Sequence, residues 1–354
     1  MRKEINLNEY EKIFCKDISS ISSYKDKILF RKHTHKINHV DLQQNLLMTS
    51  GDDDLIIIID LAELKYIIQY YDIINGTSFC TFLEPPTSTR IIYYGRKSYK
   101  LYILDYIRNE IILIVNLLRE NLYHLEYNGK PNLLITAQET NCIVWKLNEN
   151  NLKANYKISN SYYAIVNPEK KHIISLSEKY NDDIFEKSLM SIYSYDNNRE
   201  LTIVKERDVN YGKLYYHVNL MNFYKNNEHY YVILMSDFDL DIVLLDDDTM
   251  AFHLNLNSKN DLKFSYFEPT FTQDIIIGFN NGDVDVFNPN WDKYLLKKRI
   301  DDKYKKKDLI IKLIKEIKNN EPRHEESVVQ IKFSYFYPLF VSISDEMIIY
   351  QLKE

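Results

Sequence analysis

Glycine is scarce in this chain, 7 of 354 residues, and the seven stand too far apart for a phosphate-cradling loop: neither GxGxxG nor GxxxxGK[ST] occurs. Nucleotide binding through a Rossmann turn or a P-loop is thereby excluded. Cysteine is scarcer still. Cys15, Cys80 and Cys142 are odd in number and far apart, which gives neither a disulfide framework nor a CxxC knuckle. A chain of this length needs no disulfides to supply a core, so a reducing compartment is expected. Long apolar runs are missing too. The longest, Leu55 to Ile59, is five residues, where a membrane span needs roughly twenty. The opening MRKEINLNEYEKIF has no apolar stretch followed by a cleavage site, so no secretory signal is read and the cytosol or nucleus is expected. An excess of positive charge is also lacking: 45 Lys+Arg stand against 51 Asp+Glu, net −6. That excludes a globally basic nucleic-acid coat and leaves room only for a local basic patch.

What the chain has in plenty is tyrosine and phenylalanine, 30 and 16, with many Ile, Asn and Lys. These residues fall into a repeat. Short β-branched and aromatic runs occur in pairs split by a polar turn: 45–50 with 55–60, 90–95 with 100–105, and 132–137 with 142–147. The figure returns at 230–236 with 241–247, 274–279 with 283–288, and 339–344 with 347–352, and in degenerate form at 172–177 with 190–196. Runs of this composition bounded by Asn, Asp and Gly read as strands. Their spacing of about forty residues is that of a four-stranded propeller blade. Innermost strands are expected at 37–43, 121–127, 215–221, 263–269 and 328–334, and outermost strands at 65–71, 110–116, 201–206, 251–257 and 294–299. The fold read from this is all-β: a single seven-bladed propeller over 27–354 after an extension, 1–26. The last unit lacks an outer strand of its own, and KILFR (27–31) is the candidate to supply it and close the ring.

The segment 301–327 breaks the strand pattern. Ile310, Leu313, Ile314 and Ile317 recur at helical spacing among Lys305, Lys312, Lys315 and Lys318, which predicts a basic amphipathic helix inserted before the last blade. It suits packing on the propeller wall, or gripping an anionic partner. The stretch 179–192 reads as a second insertion.

Several clusters invite a chemical reading. Asp52, Asp53 and Asp54 are three adjacent carboxylates, but without EF-hand spacing, and within a predicted turn they read as turn formers rather than as a cation site. His33, His35 and His39 lie close together, but nothing completes a tetrahedral metal set, so they read as loop residues. No GxSxG elbow or HExxH is present, and no catalytic residue, metal or cofactor is assigned. The turn Arg96-Lys97-Ser98-Tyr99-Lys100 is basic. In a propeller such turns share a face with the loops entering the inner strands, so Arg31, Lys32 and Lys36 are expected to converge with Arg96, Lys97 and Lys100 into a rim for a phosphorylated peptide. Tyr94, Tyr99 and Tyr123 are candidate anchors if they reach that rim.

These residues resemble the WD-repeat family. Trp145-Lys146 is a remnant of its Trp-Asp signature, with Ile59-Asp60, Phe287-Asn288 and Tyr350-Gln351 at the corresponding places. Asp53, Glu139 and Asn281 occupy the position of the turn residue that fixes the hairpin; no Gly-His dipeptide is present. The segments 30–61, 271–288 and 338–352, above all Ser50-Gly51-Asp52-Asp53-Asp54 with the Ile-rich strand and Asp60, are similar to the first and last blades of the WD-repeat-containing protein 82 family. That resemblance implies a non-catalytic nuclear adaptor, monomeric within a COMPASS-type histone H3 lysine methyltransferase complex. It would dock a motif of the SET-domain enzyme and link it to the phosphorylated tail of transcribing RNA polymerase II, without contacting membrane or reading nucleic-acid sequence. Related propellers serve messenger-RNA 3′-end processing and phosphatase assemblies. The phosphoinositide-binding propellers of autophagy carry a Phe-Arg-Arg-Gly motif, which this chain lacks: Phe30-Arg31-Lys32-His33 precedes the first blade and has no Gly.

Overall fold

Successive side chains of a strand point to opposite faces, so a strand that is apolar throughout needs cover on both. Leu55–Asp60, Arg90–Gly95 and Leu133–Gln138 are of this kind, buried at nearly every position. Lys65–Tyr71 and Glu110–Asn116 are instead mostly exposed. Buried strands inside a sheet with exposed strands at its rim, repeated along the chain, make a β-propeller. The structure is a computed structural model that describes residues 24–30, 32–62, 65–83, 89–129, 132–148, 151–167, 171–181, 184–195, 201–210, 217–222, 230–244, 250–255, 262–270, 274–287, 324–334 and 339–352. Among these residues the secondary structure is all β.

The chain divides into two compact units. The unit 33–218 holds four sheets, each an antiparallel meander of four strands in chain order. The first is β2 (Ile37–Gln43), β3 (Leu46–Gly51), β4 (Leu55–Asp60) and β5 (Lys65–Tyr71). The second is β6 (Phe79–Leu83), β7 (Arg90–Gly95), β8 (Lys100–Asp105) and β9 (Glu110–Asn116). The third is β10 (Leu122–Asn128), β11 (Leu133–Gln138), β12 (Asn141–Asn148) and β13 (Asn151–Ser159). The fourth is β14 (Ser161–Asn167), β15 (His172–Asn181), β16 (Ile184–Tyr195) and β17 (Leu201–Asn210). The stretch 179–192 is not a separate insertion: it prolongs the β15–β16 ladder, with Lys179 facing Lys187 and Asn181 facing Ile184.

The other unit, 1–32 with 219–354, holds β18 (His217–Asn222, which begins at the boundary), β19 (Tyr230–Met235), β20 (Asp239–Leu244) and β21 (Met250–Asn255) as one four-stranded sheet. Its β22 (Phe264–Pro269), β23 (Ile275–Phe279) and β24 (Val284–Phe287) form a three-stranded sheet among the described residues. In its last sheet β25 (Gln330–Phe333), β26 (Leu339–Ile343) and β27 (Met347–Leu352) are completed by β1 (Tyr24–Phe30). Phe30 pairs with Met347 and Tyr24 with Leu352, the pairing of N-terminal and C-terminal strands that the sequence predicts. The expected outer strand 294–299 and the predicted helix up to residue 323 lie outside the described residues; His324 to Ser327 are described and are not helical.

In the unit 33–218 the two middle sheets divide their apolar side chains between two neighbours. On β7, Ile91 and Tyr93 pack with Met48, Ile56 and Ile58 of the sheet before. Ile92 and Tyr94, one position on, pack with Leu125, Leu134 and Trp145 of the sheet after. Leu133, Ile135 and Val144 then continue the stack onto Ala164, Val166 and Ile173. In the other unit Ile276 and Val284 meet Ile331, Phe333 and Phe340 in the same way.

Bulges recur at fixed places. The outer strands β5, β9, β13, β17 and β21 each leave one residue unpaired at the same rung: Ile67, Ile112, Asn155, Val204 and Ala251. A bulge there twists the free edge away from further pairing. A second bulge sits near the start of inner strands, at Asn38, Tyr123, Tyr162 and Ser265. It re-aims the side chain it carries.

Because β1 covers the edge of β27, deleting residues 1–30 is expected to expose Met347–Leu352 to limited proteolysis and to lower the melting temperature by at least about 5 °C. An unchanged protease map and melting temperature would contradict that role for β1.

Candidate interaction face

The hairpin turns of the first two sheets lock onto each other. Between β3 and β4 the chain turns through Asp52, Asp53 and Asp54, with Asp54 at φ 61°. Between β7 and β8 it turns through Arg96 to Tyr99, with Tyr99 at φ 56°, a costly conformation for a bulky residue that its packing against the second-to-third sheet core holds in place. Arg96 ion-pairs with Asp52 through Nη1, and its Nη2 donates to the Asp52 carbonyl oxygen at 2.7 Å and to Asp54 at 3.1 Å. Lys97 Nζ donates to Asp54 at 2.6 Å and to the carbonyl of Ile73 at 2.9 Å. Burial pushes the Asp54 carboxyl up, but Lys97 and Arg96 outweigh it and hold the group below its ordinary value.

The three adjacent carboxylates therefore face three different ways. Asp52 takes Arg96 and the amide of the bulged Asn38, 2.7 Å away. Asp53 accepts from His33 Nδ1–H at 2.9 Å and from the backbone N–H groups of Thr34 and Leu55. Since a carboxylate only accepts, His33 carries its proton on Nδ1, and its Nε2 accepts from the Thr49 hydroxyl at 2.9 Å. This Asp-His-Thr line has the outline of a catalytic triad, but the His33 and Asp53 side chains are 3% and 5% exposed and Thr49 is buried. No substrate reaches it; it pins the loop entering β2 to the turn. Burial lowers the His33 pKa more than Asp53 raises it, so the ring is neutral in the fold.

The connector from β5 to β6 is held from both sides. Asp72 caps it, accepting from the Asn75 backbone and side-chain amides at 3.1 and 3.0 Å and from the Tyr93 hydroxyl at 2.7 Å. Tyr102 donates to Asn75 at 2.8 Å and stacks on Tyr93 with ring centroids 5.0 Å apart. Gly76, at φ 70°, has no room for a Cβ beside the Arg96 side chain. So anchored, the connector presents Ile73 and Ile74 at 70% and 86% exposure. Deeper in the same pair of sheets, Asp41 accepts from the Phe82 N–H at 2.8 Å and from the Thr81 hydroxyl at 2.9 Å.

The sequence-nominated residues separate accordingly. Arg96 and Lys97 are engaged in intramolecular pairs rather than offered to a ligand. Lys36 is exposed, and its carbonyl accepts from the Asp52 N–H at 2.8 Å. Lys100 is half-buried opposite Gly95. Lys32 is exposed, and Arg31 lies outside the described residues. Of the turn residues, Asp53 ties the loop as above. Glu139 accepts from Asn121 at 3.3 Å and from Tyr123 at 3.4 Å, and Asn281 accepts from the Asp283 N–H at 3.2 Å. The three histidines do not converge: His33 faces Asp53, His35 bonds Thr34, and His39 packs on Phe79. Tyr94 is buried, Tyr99 is half-buried and Tyr123 is exposed.

Sequence reasoning missed the polar ties beneath the turns. Thr49, Thr136 and Ser342 hold one rung in their respective sheets, and each meets a ring nitrogen: His33, Trp145 Nε1 at 2.8 Å, and His324 Nε2 at 2.6 Å. A recurrent hydroxyl two residues after an apolar strand position was the available signal. Cys80 and Cys142 are buried, and burial pushes the Cys142 thiol up to about 12, so neither is a thiolate at neutral pH. Compared with known proteins, the chain matches no family model and no curated protein.

Arg96→Ala and Asp54→Ala are each expected to cost about 1 kcal/mol in urea unfolding, with a coupling of roughly 0.5 kcal/mol in the double variant; strict additivity would separate the pair. His33→Ala takes the side-chain donor from the buried Asp53 carboxylate, leaving it only backbone N–H groups, and removes the acceptor of the buried Thr49 hydroxyl; it is expected to cost roughly 1–3 kcal/mol. Because the folded-state pKa of His33 is lowered from 6.5, the unfolded chain takes up the proton first. Stability should therefore be full above pH 6.5 and fall as the pH drops below it, and this slope should be smaller in His33→Gln.

Proposed function

We propose that the chain is a non-catalytic adaptor, a seven-bladed WD-repeat propeller that docks peptide motifs within a nuclear COMPASS-type histone H3 lysine methyltransferase complex and links that complex to transcribing RNA polymerase II. A basic helical insertion before the last blade, within 301–323, belongs to this reading. One observation carries the docking role: turns and a connector fixed by side-chain bonds hold the apolar pair Ile73 and Ile74 out to solvent. Ordering such a loop in advance lowers the entropic cost of binding, and loops held on a rigid scaffold are where recognition concentrates. The resemblance of 30–61, 271–288 and 338–352 to the WD-repeat-containing protein 82 family is what directs the reading to this complex. In this reading Arg96 and Lys97 shape the face, while Arg31, Lys32, Lys36 and Lys100 supply charge to an anionic motif.

Affinity purification of the tagged protein from nuclear extract, followed by mass spectrometry, tests it. Recovery of a SET-domain methyltransferase with its core subunits is the expected result. Polyadenylation factors alone would move the protein to RNA 3′-end processing, and membrane-lipid partners without a nuclear complex would overturn the family reading.

A further inference from the structure

Two carboxylates on the described surface stand without a cation. Where the chain enters β10, the loop through Leu118, Arg119 and Glu120 lies beside the turn between β11 and β12, which carries Glu139. The Thr140 hydroxyl donates to Glu120 at 3.2 Å, and Asn121 donates to Glu139 at 3.3 Å. Both are neutral donors. Among the described residues neither carboxylate has a cationic partner, and Arg119 makes no ion pair with either. The turn of the first sheet spends Asp52 and Asp54 on Arg96 and Lys97 of the second; the turn of the third sheet leaves its own carboxylate unneutralised.

Beside these carboxylates stands an aromatic ring. Tyr123 is the bulged residue of β10, and the bulge turns it outward to 53% exposure, with Leu118 at 44% close by in sequence. Its hydroxyl reaches Glu139 at 3.4 Å, which limits the ring's orientation. Burial, then Glu139 and then Glu120, raise its pKa, so the field of both carboxylates is felt at the ring. Behind them Gln138 is fully buried. Its amide Nε2 donates to the carbonyls of Leu118 and Glu120 at 3.0 and 3.1 Å, which fixes the amide orientation and leaves its buried Oε1, an acceptor, without a partner.

We propose that Tyr123, Glu120, Glu139 and Leu118 form a recognition site for a lysine or arginine side chain of an extended partner peptide. The cation lies over the Tyr123 face, its N–H groups donate to the two carboxylates, and the neighbouring apolar residue of the peptide covers Leu118. An aromatic face flanked by carboxylates attracts a cation electrostatically and repels an anion, so the site selects against acidic motifs. The proposal rests on the peptide-docking reading above and names the chemistry of one docked motif.

Display selection from a random heptapeptide library on the full chain tests it, with Tyr123→Ala/Glu139→Gln as the comparison and circular dichroism to confirm that both proteins are folded. The expected result is enrichment of Lys or Arg at one peptide position. Synthetic peptides from the selection should bind the double variant about tenfold more weakly and lose affinity as salt is raised. Selected peptides without a cationic position, or the same peptides bound equally by the variant, would overturn the site while leaving peptide docking intact. No selected peptides at all would count against both. Should the double variant be unfolded, Glu139→Gln alone carries the same comparison.

Discussion

The structure depends on a sheet's need for cover on both faces. Ile91 and Tyr93 pack against one neighbouring sheet while Ile92 and Tyr94 pack against the next, so the β6–β9 sheet alone would expose an apolar face on either side. Burying such faces is the dominant favourable term in folding, and a single sheet cannot satisfy it. Stacking sheet on sheet can. The remaining features of the unit 33–218 follow: buried middle strands, exposed outer strands, and bulges that spoil the outer edges for further pairing.

Polar bonds then fix how neighbouring sheets sit. Apolar contact is non-directional, whereas Asp41 accepting from Phe82 N–H, or Arg96 gripping the Asp52–Asp54 turn, accepts only one arrangement. The same bonds immobilise the turns. Rigid turns on a stacked scaffold are what the docking proposal rests on.

Much of the fold was legible because strands buried on both faces are written as unbroken apolar runs: RIIYYG and KLYILD were bounded at 90–95 and 100–105, as the structure has them, and the mostly exposed outer strand EIILIVN at 110–116 was legible from its β-branched composition. Three strands of the unit 33–218 were missed. FCTFL of β6 follows a polar connector and spans five residues, NLKANYKIS of β13 alternates with lysine and asparagine because one face meets water, and SYYAIVN of β14, though buried, follows β13 after the single residue Asn160 and so has no polar stretch to set it apart. The candidate site was harder to read, since charge in a turn does not declare its partner. Arg96 and Lys97 look like a ligand site in sequence and are spent on Asp52 and Asp54, more than forty positions away in the chain. His33 looks like one of three loop histidines and is instead a buried tie to Asp53 and Thr49. Tyr123 and Glu139 gave no signal together, because only the bulge of β10 brings them side by side.

If facing sheets hold one another in place, they open together. Native-state hydrogen exchange over β2 to β13 measures this directly, with the Phe82 amide, donated across sheets to Asp41, as the reporter. The account predicts that inner and middle strands of adjacent sheets exchange through one shared opening, with the outer strands exchanging faster. A β2–β5 sheet that opens at a lower free energy of its own, while β6–β9 stays protected, would contradict it.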